Sequence, residues 1–194
     1  MKKLDPKEIA LPAVALFIIC FISTLLLGGT NLLTKDKIAL VAAEKAEKAR
    51  KSVCTEAVTF TESQIEVNGL PYAVNTGLND KNETVGYTVS ATDKSYGGAI
   101  EVMTGFDTEL KITGVEILSI DDTPGLGMNA KKDSFRDQFK GKTGELTASK
   151  SPSEENEIQA MTGATITSKA VTRCVSAAYT AAQAQAQKGG ASNG

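Results

Sequence analysis

Residues 161–171 read Met-Thr-Gly-Ala-Thr-Ile-Thr-Ser-Lys-Ala-Val and place a hydroxyl directly after a turn of small residues. Beyond this turn, apolar side chains recur at helical spacing, at Ile166, Ala170, Val171, Cys174, Val175, Ala178 and Ala182. The pattern predicts a helix that begins at Thr165 and buries one face. Free backbone N–H groups and the positive end of the helix dipole favour an anion at such a start.

The residues around Thr165 support two interpretations. Gly163 and Ala164 would let an anion approach the backbone, and Lys169, four residues after Thr165, is expected to reach back towards a group on the Thr165 oxygen. This arrangement suits a phosphate attached to Thr165. In the alternative, Thr165 is an ordinary helix N-cap after an ordinary tight turn. The local sequence leaves both interpretations open.

Composition excludes several classes of function. The chain has 194 residues, a net charge of −2 and no histidine. Its basic residues are mixed with acids along the chain, unlike the one-sided basic patch of a nucleic-acid-binding protein. The lack of histidine removes His-based acid–base catalysis and most zinc sites. We therefore predict no catalytic side chain, no metal site and no nucleic-acid partner, so any redox chemistry needs a bound cofactor.

The three cysteines, Cys20, Cys54 and Cys174, form no C-x-x-C pair, so they do not indicate an iron–sulfur cluster or a zinc knuckle. Buried apolar roles suit them best. If the domain lies outside the cytoplasm, a disulfide between Cys54 and Cys174 is a further alternative.

An uncharged apolar run over residues 9–33 predicts one transmembrane helix, because about 20 such residues span a bilayer. A cleavable signal peptide would have a shorter core of about 7 to 15 residues. A lipoprotein would place a small residue before Cys20, where Ile19 stands. We expect a tail at 1–8 and a helical stalk at 34–53. A plain Lys/Arg count would place the C-terminal domain in the cytoplasm.

Strand patterns follow the stalk, at Ile65–Val67, Val85–Ala91, Ile100–Phe106 and Ile112–Ile120. Asp107–Lys111 is expected to connect the last two as a hairpin, and Ser134–Phe139 to form a short helix. The sequence therefore predicts an α+β domain over residues 54–183, with an antiparallel sheet and flanking helices. A flexible tail is expected at 184–194.

A second candidate site is the turn Thr123-Pro124-Gly125-Leu126-Gly127. Gly125, Gly127 and Ala130 satisfy a dinucleotide-binding pattern. We reject it because the neighbouring strands are hairpin-linked, whereas that pattern needs a parallel βαβ unit. A turn with few side chains allows a flat ring to approach the backbone closely. A plain surface loop is the alternative.

Residues 159–165 resemble the flavinylation motif of FMN-binding domains, Asp-x-x-Ser/Thr-Gly-Ala-Thr. Asp122–Gly127 resembles the Glu-Thr-Pro-Gly-Leu-Gly signature of Rnf-complex G subunits and of the related C subunits of sodium-pumping NADH:quinone reductases. The resemblance also includes Ser95–Val102, Ile112–Val115 and the N-terminal apolar segment. It thus covers nearly the whole chain.

This resemblance implies FMN joined to Thr165 through a phosphoester bond, with Thr162, Gly163 and Ala164 as the rest of the motif. A separate flavin transferase that uses FAD and magnesium would install it. Two positions depart from the family: Asp122 replaces the usual Glu, and Gln159 replaces the motif Asp, which leaves Glu157 as the nearest acid.

The resemblance further implies a membrane-anchored subunit that is not catalytic alone. It would relay electrons with other membrane and peripheral subunits of a Rnf-type ferredoxin:NAD oxidoreductase coupled to ion translocation. It would have a cytoplasmic N-terminus and an extracytoplasmic domain, contrary to the Lys/Arg count. The alternatives are a non-redox membrane-anchored interaction domain and a freestanding extracytoplasmic flavin reductase.

Overall fold

The computed structural model describes the backbone of residues 6–191 and the side chains of residues 10–188. Residues 1–5 of the expected tail and residues 192–194 of the expected C-terminal tail lie outside this range. The chain divides into two compact units, residues 1–44 and residues 45–194.

Helix α1 (Pro6–Val53) contributes its residues up to 44 to the first unit, and its last turns belong to the second unit. This helix is long and apolar enough to cross a membrane. Its Leu, Ile and Phe side chains between Leu11 and Leu33 are exposed. An exposed apolar surface of this length is costly in water and stable in lipid, as expected for a membrane anchor.

The second unit contains a five-stranded antiparallel sheet in the order β1-β2-β3-β4-β5. The strands are β1 (Thr59–Val67), β2 (Leu70–Leu78), β3 (Thr84–Lys94), β4 (Ala99–Phe106) and β5 (Ile112–Ile120). The expected hairpin between β4 and β5 is confirmed. There the Glu109 and Lys111 N–H groups donate to the Asp107 carboxylate at 2.9 and 2.8 Å.

The strand pattern missed β2, which contains Pro71 and Gly77. Pro71 faces Glu66 of β1, but the pairing of β2 with β3 begins only at Val74. The proline therefore lies where one side of the strand has no partner, a position at which a missing N–H costs nothing.

Short elements follow the sheet. Two 3₁₀ turns, Gly127–Lys131 and Asp137–Phe139, flank α2 (Asp133–Arg136), which agrees with the helix expected near residues 134–139. Strands β6 (Thr147–Ser149) and β7 (Glu157–Gln159) pair in parallel. Helix α3 (Thr165–Ala191) then packs mainly against β3 and β4. It continues past residue 183, since the Ala- and Gln-rich segment favours helix.

The core lies between α3 and one face of the sheet. Val74, Val89, Val102 and Phe106 are fully buried there, and the Phe106 ring meets Tyr179 of α3 edge to face at 6.1 Å between centroids. The α+β class with an antiparallel sheet and flanking helices is therefore confirmed. This packing fixes the first turn of α3 at one end of the sheet.

The opposite face of the sheet holds the end of α1. Gly105 of β4 and its neighbour Gly114 of β5 lie beneath Val53, and the Thr113 hydroxyl donates to the Val53 carbonyl. Cys54 lies against Gly77 and Gly86. These four glycines leave room for residues 53 and 54 to pack against the sheet.

This packing decides the disulfide alternative. Cys54 lies on the face of the sheet that carries Val53, whereas Cys174 is buried in the core beneath α3. Both thiols are free. With the sheet between them, the short Cβ–Cβ approach that a disulfide needs is not available.

Candidate functional site

A cleft of about 630 Å³ opens between the start of α3 and the loop after β5. Its lining comes from three parts of the chain: Tyr96, the loop residues Asp122, Thr123, Leu126 and Gly127, and Lys150 with residues 159–167. The volume falls within the roughly 300–1,000 Å³ of small-molecule and cofactor sites. The two motifs, which the sequence separates by more than thirty residues, thus line one cleft.

The turn before α3 is built as the sequence predicts. The Ala164 N–H donates to the Met161 carbonyl at 3.0 Å, and Gly163 between them has a φ of +75°. A positive φ at the third position of a four-residue turn favours glycine. The Ser168 hydroxyl secures the turn, because it accepts the Met161 N–H and donates to the Ala164 carbonyl, both at 2.9 Å.

Thr165 is the first residue of α3, and it is half-buried in the cleft wall. The first helical backbone bond runs from the Ser168 N–H to the Ala164 carbonyl, so the N-cap position belongs to Ala164. Among the described residues, none hydrogen-bonds the Thr165 hydroxyl. The N-cap alternative for Thr165 is therefore wrong, and its oxygen is free at the cleft.

The helix start also offers donors for an anion. No described side chain accepts a hydrogen bond from the N–H groups of Thr165, Ile166 or Thr167, and these groups lie at the positive end of the helix dipole. The donors and the free hydroxyl together fit a phosphate carried on Thr165.

The structure shows which of the other predicted cofactor-binding residues line the cleft. Thr162, Gly163 and Ala164 line the cleft, as do Thr123, Leu126 and Gly127. Pro124 and Gly125 do not line the cleft and are exposed. Lys169 is exposed and outside the cleft, whereas Lys150, which sequence reasoning missed, lines it.

Gln159, at the motif position that is usually acidic, also lines the cleft. Its amide Nε2 donates to the Lys150 carbonyl at 2.6 Å, a bond that a carboxylate cannot make. The side chain thus connects the end of β7 to the segment that carries Lys150. Glu157 does not replace the missing acid, because its carboxylate accepts the Ser153 and Glu154 N–H groups and lies outside the cleft.

Asp122 joins the loop to its surroundings. Its carboxylate accepts hydrogen bonds from the Ser95 hydroxyl, the Gly97 N–H and the Thr167 hydroxyl, each at 2.5 Å. Burial raises the pKa of this carboxyl, but the three hydrogen bonds outweigh burial and hold the pKa below its ordinary value. Its role depends on residues distant in sequence, so sequence reasoning quoted Asp122 only as part of a motif.

Close packing around Asp122 explains why position 127 of the loop is a glycine. A Cβ at Gly127 would lie 2.5 Å from the Asp122 carboxylate and 2.7 Å from the Thr167 hydroxyl. Leu126 lies on the other side, 3.1 Å from where a Cβ of Gly163 would be. The loop and the turn before α3 are thus fitted against each other.

Residues 95–180 match the model of the FMN-binding domain. The chain is 42% identical, over 82% of its length and 84% of the relative, to the G subunit of the proton-translocating ferredoxin:NAD(+) oxidoreductase complex of Clostridium ljungdahlii. The chain belongs to the family of Rnf-complex G subunits.

A second G subunit and two solved structures are also similar to this chain. The G subunit of the Na(+)-translocating ferredoxin:NAD(+) oxidoreductase complex of Acetobacterium woodii is 34% identical over 88% of this chain and 89% of that protein. The C subunit of the Na(+)-translocating NADH-quinone reductase of Parabacteroides distasonis superposes with a TM-score of 0.53 at 19% identity, covering 70% of this chain and 79% of that one. NqrC of Shewanella oneidensis gives 0.52 at 17% identity, over 69% and 73%. These two show the shared fold.

The Rnf G family, the FMN-binding domain and the apolar helix α1 confirm the expectation of a membrane-anchored flavin electron-transfer subunit.

Proposed function

We propose that the chain carries FMN in phosphoester linkage to Thr165 and relays electrons within a Rnf-type ferredoxin:NAD oxidoreductase coupled to ion translocation. The observation that carries the attachment is the free Thr165 hydroxyl at the start of α3, inside a cleft of cofactor size. FMN, when bound there, would supply the electron-transfer chemistry of the cleft.

The residues of the cleft have distinct parts in holding the cofactor. The free N–H groups at the start of α3 receive the phosphate, and Lys150 supplies a positive charge at the same cleft. Leu126, Tyr96 and Ile166 are apolar or aromatic and largely exposed at the rim. A flat ring placed against them would cover apolar surface that water now contacts.

Covalent attachment suits a relay. A tethered cofactor is not lost by dilution, and an anchored domain stays near its partners. The partners proposed here are the other membrane and peripheral subunits of the complex, together with a flavin transferase for maturation. We place the N-terminus in the cytoplasm and the domain outside it.

Intact-mass analysis of the full chain coexpressed with a flavin transferase tests the attachment. We expect a mass increase equal to one FMN less water, located by peptide mapping to the segment that contains Thr165. Thr165→Ser keeps the hydroxyl and should retain the flavin, whereas Thr165→Ala should lose it. Thr180→Ala, which removes an exposed hydroxyl elsewhere on α3, is the matched control.

Two results would contradict the proposal: wild-type protein with no added mass, or Thr165→Ala protein that keeps flavin fluorescence after denaturation. Copurification decides between the relay and a freestanding flavin reductase. A flavinylated chain that comes out of mild detergent without other membrane subunits would favour the reductase.

A further inference from the structure

Asp122 is the least exposed of the charged side chains that line the cleft. Of the described residues that line the cleft, Asp122 and Lys150 carry charge. Lys150 is exposed, whereas Asp122 is 4% exposed. Salt and water screen a buried charge much less than an exposed one. The field of Asp122 therefore acts on whatever group occupies the cleft.

Three donors from two different segments stabilise this charge. Ser95 and Gly97 belong to the turn between β3 and β4, and Thr167 belongs to the first turn of α3. A carboxylate that accepts three hydrogen bonds stays ionised even when buried. The same bonds fix its position relative to Thr165, two residues before Thr167.

We propose that the negative charge of Asp122 lowers the reduction potential of the FMN held in the cleft. This inference rests on the proposed function, because it requires FMN on Thr165. An electron delivered from an external donor into the cleft adds negative charge beside the carboxylate. Repulsion between the two charges disfavours reduction, and neutralising Asp122 relieves it. Asp122 is thus a positioning residue whose charge also sets the redox balance.

The test uses the full chain, coexpressed with a flavin transferase and purified in detergent. A spectroelectrochemical titration with redox mediators gives the midpoint potential of the bound flavin. Asp122→Asn keeps the shape of the side chain and removes its charge. We expect a more positive potential, equivalent to at least a roughly tenfold higher ratio of reduced to oxidised flavin, or about 59 mV for a one-electron step.

Matched variants separate charge from geometry. Asp121→Asn removes the same charge from the exposed neighbouring residue and should leave the potential unchanged. Asp122→Glu keeps the charge and should restore a potential close to that of the wild type. Thr167→Val removes one donor but keeps the carboxylate, so its shift should be clearly smaller than that of Asp122→Asn.

The proposal is overturned if Asp122→Asn has the wild-type potential or if Thr167→Val shifts it equally. Asp122→Ser is a second neutral variant in case Asp122→Asn fails to fold. If both neutral variants fold but accept no FMN, the charge is needed for attachment of the flavin and the proposal is likewise overturned. Wild-type protein without covalent flavin would instead contradict the proposed function, so the two failures are distinguishable.

Discussion

The Thr167 hydroxyl donates a hydrogen bond of 2.5 Å to the Asp122 carboxylate, connecting the first turn of α3 to the loop after β5. Both groups are buried, so this bond takes the place of the hydrogen bonds that each group would make to water in the unfolded chain. It brings the turn before Thr165 and the Thr123–Gly127 segment to the two sides of one cleft.

Replacing Thr167 with valine tests how much this bond stabilises the domain. The change keeps the shape of the side chain and leaves the buried carboxylate with one donor fewer. Hydrogen bonds to charged groups contribute about 1.5–3 kcal/mol, and we expect a loss of that size in the free energy of unfolding. Denaturant titration followed by circular dichroism measures it. Thr180→Val, at an exposed position on α3, should cost less than about 0.5 kcal/mol. Equal losses in the two variants would contradict the assigned role.

Gly163→Ala tests the turn before Thr165. Gly163 has a φ of +75°, and a new Cβ would lie 3.1 Å from a methyl group of Leu126. Gly144 has a similar φ of +79°, but nothing lies within 4 Å of its Cβ position. Left-handed backbone costs a non-glycine residue roughly 1–2 kcal/mol, so both alanine variants should lose that much stability. Only Gly163→Ala should also reduce flavin attachment, measured by intact mass. A similar reduction in Gly144→Ala would show that the defect is general.

The packing of Val53, at the end of α1 and within the second unit, predicts different costs at two paired glycines of the sheet. A Cβ at Gly105 would overlap the Val53 carbonyl, whereas a Cβ at Gly114 would meet Val53 at an ordinary 3.5 Å. Overpacking of this kind costs about 1–3 kcal/mol. We therefore expect Gly105→Ala to destabilise the domain by more than Gly114→Ala, measured by thermal unfolding of the full chain in detergent. The reverse order would contradict the packing of residues 53 and 54 on the sheet described above.

The buried thiol of Cys174 should resist alkylation. Burial and then the nearby Asp93 carboxylate raise the pKa of Cys174 to about 12. Because the thiolate is the reactive form, iodoacetamide should not label Cys174 at pH 8 until the protein unfolds. Thr180→Cys, on the same helix but exposed, should be labelled readily. Labelling is measured by peptide mass spectrometry, and rapid native labelling of Cys174 would contradict the burial.

The same raised pKa gives stability a pH dependence. An unfolded cysteine loses its proton near pH 8.5, whereas the folded thiol keeps it to about pH 12. The unfolded state therefore binds fewer protons between these values, and the Cys174 contribution to the free energy of unfolding falls as pH rises. Cys174→Ala should lose stability less steeply over that range. Parallel curves for the two proteins would contradict the prediction.

Local patterns were sufficient for much of the fold. The start of α3 at Thr165 follows from a change to helical spacing after a small-residue turn, and the hairpin at Asp107 follows from its turn residues. Strand β2 was missed because Pro71 and Gly77 argue against a strand locally. Pairing with β1 overrides that preference, and a sequence does not show which strand will be the neighbour.

The sequence by itself determined the anchor, the α+β class and the threonine at a helix start, because these depend on the hydropathy, period and turn chemistry of neighbouring residues. Tertiary structure alone decided which groups share the cleft: it brought in Lys150, left Lys169 outside and surrounded Asp122 with three donors. The physical reason is that these contacts join residues far apart in the chain. Their distances are set by how α3 packs on the sheet.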